Sequence, residues 1–301
     1  MFQKVVFAGG GHRCWWQAGW WEVVSGEAPL APTCIAAVSA GAATACMLFA
    51  TDTRDALAYY REALGSQARN AHWGNLLRRG RPVFPHEAIY RQALRQLLGG
   101  ESFARLQADA PEIRVLFAIP PRWLGARSAV AIGLLAYNIE KYARRSLHPV
   151  AGRRLGFRPG MARVADCPDE DSLIDLLIAS SSTPPFTALQ RRGGDTVLDG
   201  GLVDNVPVHA LVATAELASP PGPTLVLLTR RYPAMPTVFV RDDHVYVQPV
   251  RKVAASSWDY TAPASYEATW QQGREDAGEF LRWLETHREW LAQAQIAQRR
   301  T

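Results

Sequence analysis

Residues 33–50 run Thr-Cys-Ile-Ala-Ala-Val-Ser-Ala-Gly-Ala-Ala-Thr-Ala-Cys-Met-Leu-Phe-Ala without a single charge. That length would suit a membrane span. Spans are rich in leucine and unbroken, however, and here small residues dominate and a turn is expected at Ser39. The apolar run Thr33–Val38 predicts a buried strand, and the small-residue pattern Ala40–Ala50 predicts a helix. Ser39 stands at the junction. A strand that turns sharply into a helix at a serine lifts the hydroxyl clear of the sheet, provided its neighbours are small. The full pattern is G-x-S-x-G; here Ala37 replaces the first glycine and Gly41 keeps the second. Taken alone, the stretch also fits a serine capping an ordinary buried helix.

The chain before it reads as a second strand, Val5–Ala8, entering Gly9-Gly10-Gly11, then His12, Arg13 and a helical pattern from Cys14 to Val24. Trp15, Trp16, Trp20 and Trp21 cover one broad face of that helix. They are expected in the core, with part of the face beside an apolar channel as the alternative. A glycine loop leading into a helix presents backbone N–H groups to an anion, either a phosphate or an oxyanion. The dinucleotide fingerprint G-x-G-x-x-G lacks its last glycine here, and no G-K-[ST] follows. A serine elbow 28 residues after Gly11 favours the oxyanion.

Residues 53–70 and 86–109 have helical periodicity and no assignable chemistry. Ile113–Ile119 is a strand candidate halted by Pro120-Pro121. A helix over Leu173–Ala179 ends at Ser180-Ser-Ser-Thr-Pro-Pro, and the strand Thr196–Leu198 leads into Asp199-Gly200-Gly201, which in isolation is an ordinary turn. Thr224–Thr229 reads as a buried strand. Residues 264–291 form an amphipathic helix with Phe280, Trp283, Leu284, His287, Trp290 and Leu291 on one face. Strands and helices alternating in this way predict an α/β three-layer sandwich. Its core is expected over 1–211, with 212–301 packed on the same domain.

Thirty-three basic and 28 acidic residues leave a net charge of +5, too modest to imply nucleic acid. The distribution is uneven. From Arg114 to Arg163 there are ten Arg or Lys and one acid, Glu140, or +9 in fifty residues. Read as an insertion, this segment holds Trp123 and the apolar run Ala129–Ala136, then Lys141, Arg144 and Arg145. It fits docking on an anionic membrane, or equally a buried helix with a solvated basic flank. Four cysteines without a C-x-x-C pair or metal-ligand spacing read as reduced thiols. Four apolar residues before the glycines are too few for a signal peptide. Both points predict a cytoplasmic protein, at most peripheral to a membrane.

Gly9-Gly10-Gly11-His12-Arg13, Ala37-Val-Ser39-Ala-Gly41-Ala and Asp199-Gly200-Gly201, in that order and spacing, resemble the patatin-like phospholipases. The flanks Ala179-Ser-Ser-Ser-Thr-Pro-Pro and Val203-Asp-Asn-Val-Pro fit as well, and the resemblance covers roughly residues 4–211. It implies a patatin-type α/β/α fold and a lipid acyl hydrolase that needs no cofactor or metal. Ser39 would be the nucleophile and Asp199 the general base, acting through an acyl-enzyme. Backbone N–H groups of Gly10, Gly11 and His12 would form the oxyanion hole. Arg13 would hold that loop or add charge to it, and Ala37, Gly41, Gly200 and Gly201 would support the turns. A carboxylate with a pKa of about 3.9 is a poor base in water, so the fold is expected to take Asp199 out of water. Ala37 and Cys14, where glycine is usual, depart from the pattern. The same dyad would serve an acyltransferase, and a non-catalytic lipid-binding protein could keep the fold. Head-group preference and any protein activator stay unassigned. A Ser-His-Asp hydrolase could formally use Ser39, Asp199 and His209 or His244, but too few strands precede Ser39 to build that sheet.

Overall fold

The computed structural model describes residues 2–65, 67–78, 81–123, 125, 128, 147–148, 151–212 and 220–298. Its strands are β1 (Lys4–Phe7), β2 (Cys34–Val38), β3 (Glu112–Ile119), β4 (Arg158–Arg163), β5 (Gln190–Arg192), β6 (Asp195–Asp199), β7 (Thr224–Leu227), β8 (Val238–Arg241) and β9 (His244–Val247). They form one mixed sheet in the order β5-β6-β3-β2-β1-β7-β9-β8, with β4 also paired to β3. The centre, β3-β2-β1-β7-β9, is parallel, and antiparallel pairs close both sides. Parallel strands buried on both faces need continuous apolar sequence. β2, Cys-Ile-Ala-Ala-Val, is buried at every position.

The principal helices are α1 (Trp15–Glu27), α2 (Ala40–Ala50), α3 (Thr53–Gly65), α4 (His86–Leu98), α5 (Glu101–Asp109), α6 (Glu170–Ser180) and α7 (Pro263–Gln298). The layers of this α/β/α sandwich are unequal. Residues of α1–α7 build the main core with Val5, Phe7, Ile35, Ala37, Ile113, Val115, Leu225 and Leu227. The opposite face, Val6, Ala8, Cys34, Ala36 and Val226, is covered by Val206, Val208 and Leu211 of a short helical turn and its approach. Val115, Ala37, Phe7 and Leu227 lie in one row across the parallel strands. The methyl group of Ala37 therefore fills the main core, and the departure from glycine is absorbed there.

Several expectations are sharpened. The pattern over 86–109 is two helices, because Gly99-Gly100 interrupts it with a positive φ at Gly100. Of the tryptophans, Trp16 and Trp20 are core residues against α7, where Trp16 Nε1 donates to Asp276 Oδ2 at 2.8 Å and Trp20 meets Phe280 at 4.9 Å between ring centroids. Trp15 instead lines the cavity described below.

The basic segment 114–163 needs correction as an insertion, because its ends are strands. Arg114 on β3 and Arg163 on β4 are register partners in an antiparallel pair. Arg114 is fully buried, its guanidinium held by Glu112 and the Ala210 carbonyl. Arg122, Arg153 and Arg163 face Asp195, Asp204 and Asp166. Part of the charge excess is thus structural. Ala129–Ala136, Lys141, Arg144 and Arg145 lie outside the described residues. Among the described residues, no helix is long and apolar enough to cross a membrane.

Candidate active site

Ser39 joins β2 directly to α2 with φ 55° and ψ −137°, a conformation that costs a non-glycine residue about 1–3 kcal/mol unless its surroundings enforce it. Three contacts enforce it. Its N–H donates to Ser180 Oγ at 2.8 Å, and that hydroxyl in turn donates to the Leu116 carbonyl of β3 at 2.6 Å. Its carbonyl accepts the Ala42 N–H at 2.9 Å. Finally, Gly41 lets α2 cross β1 at close range, since a Cβ there would lie 2.6 Å from the Ala8 carbonyl oxygen.

The strained turn brings Ser39 Oγ to Asp199, where it donates to Oδ2 at 2.6 Å. Asp199 ends β6, paired with Phe117 of β3, and its Oδ1 accepts the Gly201 N–H at 2.7 Å. Gly200 is packed against β3, with no room for a Cβ beside the Leu116 carbonyl. Thr183 Oγ1 also donates to Oδ2, at 3.4 Å. Asp199 is only partly buried, less than expected from sequence, whereas Ser39 is 7% exposed.

The glycine loop lies against both. A 3-10 turn over Gly11–Cys14 starts with the Arg13 N–H bonded to the Gly10 carbonyl. The N–H groups of Gly10, Gly11 and His12 precede that first bond, as at any helix start. Gly11 needs its positive φ of 57°, and its α-carbon packs on the Ser257 backbone. Arg13 Nε donates to the Gly10 carbonyl at 3.1 Å, so this side chain braces the loop. Asn205, six residues past Asp199, ties the two together: its Nδ2 donates to the Gly9 carbonyl and its own carbonyl accepts the Gly9 N–H. Neither Ser180 nor Asn205 was singled out by sequence. The only signals were the Ser-run that begins at the last residue of α6 and the Asp-Asn-Val-Pro after the glycines.

A narrow cavity of ≈ 80 Å³ opens at Ser39, Gly11 and His12 and runs between α2 and α4. Ala40, Ala43, Thr44 and Met47 line it from α2, a spacing that puts them on one helical face, and Leu94, Leu97 and Leu98 line it from α4. Its titratable walls are neutral. Burial pushes the Cys14 thiol up to about 12, so this departure from the family pattern places an inert thiol in the wall. Burial also raises Tyr60, Tyr90 and Tyr260.

The His12 side chain turns away from the loop, stacked on Tyr266 at 4.3 Å and edge-on to Tyr260 at 4.4 Å. Burial, reinforced by nearby His86 and opposed by Asp259, pushes it down to about 3. Unfolding frees this imidazole to bind a proton below about pH 6.5. Its contribution to stability is therefore complete above that value and lost as pH falls toward 3, by at most about 1.4 kcal/mol per pH unit. Thermal unfolding followed from pH 7 to pH 4 is expected to show a shallower fall for His12→Phe than for the parent.

His209 is exposed in the turn Val208–Leu211, and His244 opens β9 in register with the first residue of β7, at the sheet edge opposite Ser39. Among the described residues neither shares a hydrogen bond or a cavity wall with Ser39, nor is there a metal-binding group of His, Cys, Asp or Glu.

The family model described as patatin-like phospholipase matches residues 5–212. The chain belongs to the patatin-like phospholipase family. Among solved structures, VipD from Legionella pneumophila aligns with 93% of this chain at 10% identity and a TM-score of 0.43. The chain spans 66% of that protein's length. No curated protein sequence matches it.

Proposed function

We propose that the protein is a serine lipid acyl hydrolase of phospholipase A or lysophospholipase type, working through Ser39 and Asp199. The observation that carries this reading is the 2.6 Å hydrogen bond between Ser39 Oγ and Asp199 Oδ2 at a strained strand-to-helix turn. Asp199 takes the hydroxyl proton as Oγ attacks the ester carbonyl, and the N–H groups of Gly10, Gly11 and His12 meet the oxyanion. The leaving alcohol departs with that proton. A water then gives its proton to Asp199, attacks the acyl-enzyme and releases the fatty acid, and Asp199 returns the proton to Ser39. The apolar cavity between α2 and α4 receives the acyl chain.

Anionic membrane is the surface on which such a substrate is met. Trp123, 79% exposed beyond the end of β3, and the exposed Arg154 and Arg158 supply one contact from the 114–163 segment. Incubation with a lysophospholipid in the presence of a chelator tests the reaction. Free fatty acid is the expected product; an ester of an added alcohol in its place would identify an acyltransferase, and neither product would contradict the proposal.

Ser180 acts as a positioning residue here. Ser180→Ala would leave the Ser39 N–H without its acceptor and let the turn relax. A displacement near 1 Å is worth about 100-fold in rate, so kcat is expected to fall about 10- to 100-fold with KM little changed. An equal loss in the folded fraction, with kcat per folded molecule unaltered, would make Ser180 merely structural.

A further inference from the structure

The connection between α3 and α4 carries features that the Ser39 site does not use. From residue 63 to residue 86 the sequence contains Arg69, Arg78, Arg79 and Arg81 and no acid. Arg79 lies outside the described residues. No carboxylate pairs with the guanidinium groups of Arg69, Arg78 or Arg81 among the described residues. Trp73 and Leu76, on the helical turn Trp73–Leu77, are 65% and 69% exposed. Beside Trp73 lies an open polar hollow of ≈ 610 Å³, lined by Arg69, Asn70, His72, Trp73, Asn75 and Arg78 among others.

This connection is anchored. The His72 N–H donates to the Val83 carbonyl at 2.8 Å, and Asn75 Nδ2 donates to the Pro82 carbonyl at 2.9 Å. A carboxylate on its flank, Asp259, accepts at Oδ1 from Asn70 Nδ2 and from the N–H and hydroxyl of Thr261. All three donors are neutral and share Oδ1, and among the described residues Asp259 forms no ion pair with Arg69, Arg78 or Arg81. Trp73 meets Phe84 at 5.9 Å, Phe84 meets Phe186 at 5.0 Å, and Phe186 stacks on Trp258 at 5.1 Å. Trp258 is a wall of the Ser39 cavity. The exposed indole is thus the outer end of a row of rings that reaches the candidate active site.

We propose that Arg69, Trp73, Leu76 and Arg78 of this connection dock the protein on an anionic phospholipid surface. Head-group phosphates sit in the open hollow lined by Arg69 and Arg78, while Trp73 and Leu76 enter the boundary between head groups and acyl chains. Charge selects the partner: unpaired guanidinium groups match phosphate, and Arg holds it through a planar fork. A free phosphate would use the arginines but leave the apolar pair in water, whereas a lipid surface accommodates both. The docking rests on the lipid acyl hydrolase reading only for its purpose, since it brings the bilayer to the mouth of the Ser39 cavity.

The test uses the full chain carrying Ser39→Ala, so that no hydrolysis alters the vesicles. Sedimentation compares vesicles of phosphatidylcholine with vesicles containing phosphatidylglycerol. Each arginine at an anionic surface strengthens binding roughly fivefold, so Arg69→Gln with Arg78→Gln is expected to weaken binding to phosphatidylglycerol vesicles roughly 30-fold. Trp73→Ser with Leu76→Ser is expected to weaken it by about tenfold or more. Thermal unfolding verifies that each variant is folded. Folded variants that bind such vesicles as tightly as their parent would overturn the proposal, as would equal binding to both lipid compositions. Absence of ester turnover in protein with Ser39 intact would count against the hydrolase reading and leave this binding result standing.

Discussion

Ser39→Ala is expected to lower lipid ester hydrolysis about 10⁴- to 10⁶-fold, the loss that follows when a nucleophile is removed from a unit that acts together. The cavity between α2 and α4 would still accept the acyl chain, so KM for any residual activity should stay near its original value. The fold should persist too. Alanine keeps the N–H that donates to Ser180 Oγ, and Gly41 still lets α2 cross β1. What is lost is one donor to Asp199, which retains the Gly201 N–H and the Thr183 hydroxyl. One hydrogen bond to a carboxylate is worth about 1.5–3 kcal/mol, so the unfolding temperature should shift by only a few degrees. Steady-state kinetics and thermal unfolding on the same preparation check both halves. Unchanged turnover in a folded Ser39→Ala variant would place the nucleophile elsewhere.

Asp199→Asn is expected to lower kcat about 10²- to 10⁴-fold, the usual worth of a positioned general base. The loss follows from hydrogen-bond directions. Asp199 accepts at both oxygens, from the Gly201 N–H and from Ser39 Oγ. Asparagine has one acceptor and one donor. Its carbonyl oxygen goes to the Gly201 N–H, which has no freedom to rotate. The amide nitrogen then faces Ser39 Oγ and donates to it, reversing the bond and leaving no group to take the proton. The serine remains in place and unreactive. Pre-steady-state assays should show slow acylation; a normal acylation rate with slow release of the acyl group would confine Asp199 to the second half of the reaction.

Much of the centre was legible in the sequence because the information was local. An apolar run, one serine and a small-residue helix describe β2, the turn and α2 within eighteen positions. The glycine loop and Asp199-Gly200-Gly201 are equally local, and the structure brings them to the same sheet edge. What escaped is non-local or compositionally plain. β4, Arg-Pro-Gly-Met-Ala-Arg, has no apolar period, and it exists because β3 offers it a partner. β8 and β9 form a hairpin through Asp242-Asp243, both at positive φ, a turn that aspartate tolerates and that an Asp-Gly would have announced. The tether from Ser39 to Ser180 spans 141 residues. His12 was noticed for its backbone position, yet its ring is claimed by Tyr260 and Tyr266 from the far end of the chain. The charge of 114–163 was counted without the acids that pair with it, Glu112, Asp166, Asp195 and Asp204, all of which lie outside the segment.

The central claim is that Ser39 is a nucleophile activated directly by Asp199. It is tested most directly by intact mass after treatment with a fluorophosphonate, on the parent, Ser39→Ala and Asp199→Asn. A single adduct on the parent, none on Ser39→Ala and slow labelling of Asp199→Asn are predicted. An adduct that persists on Ser39→Ala, or a folded parent that takes up none, would contradict it.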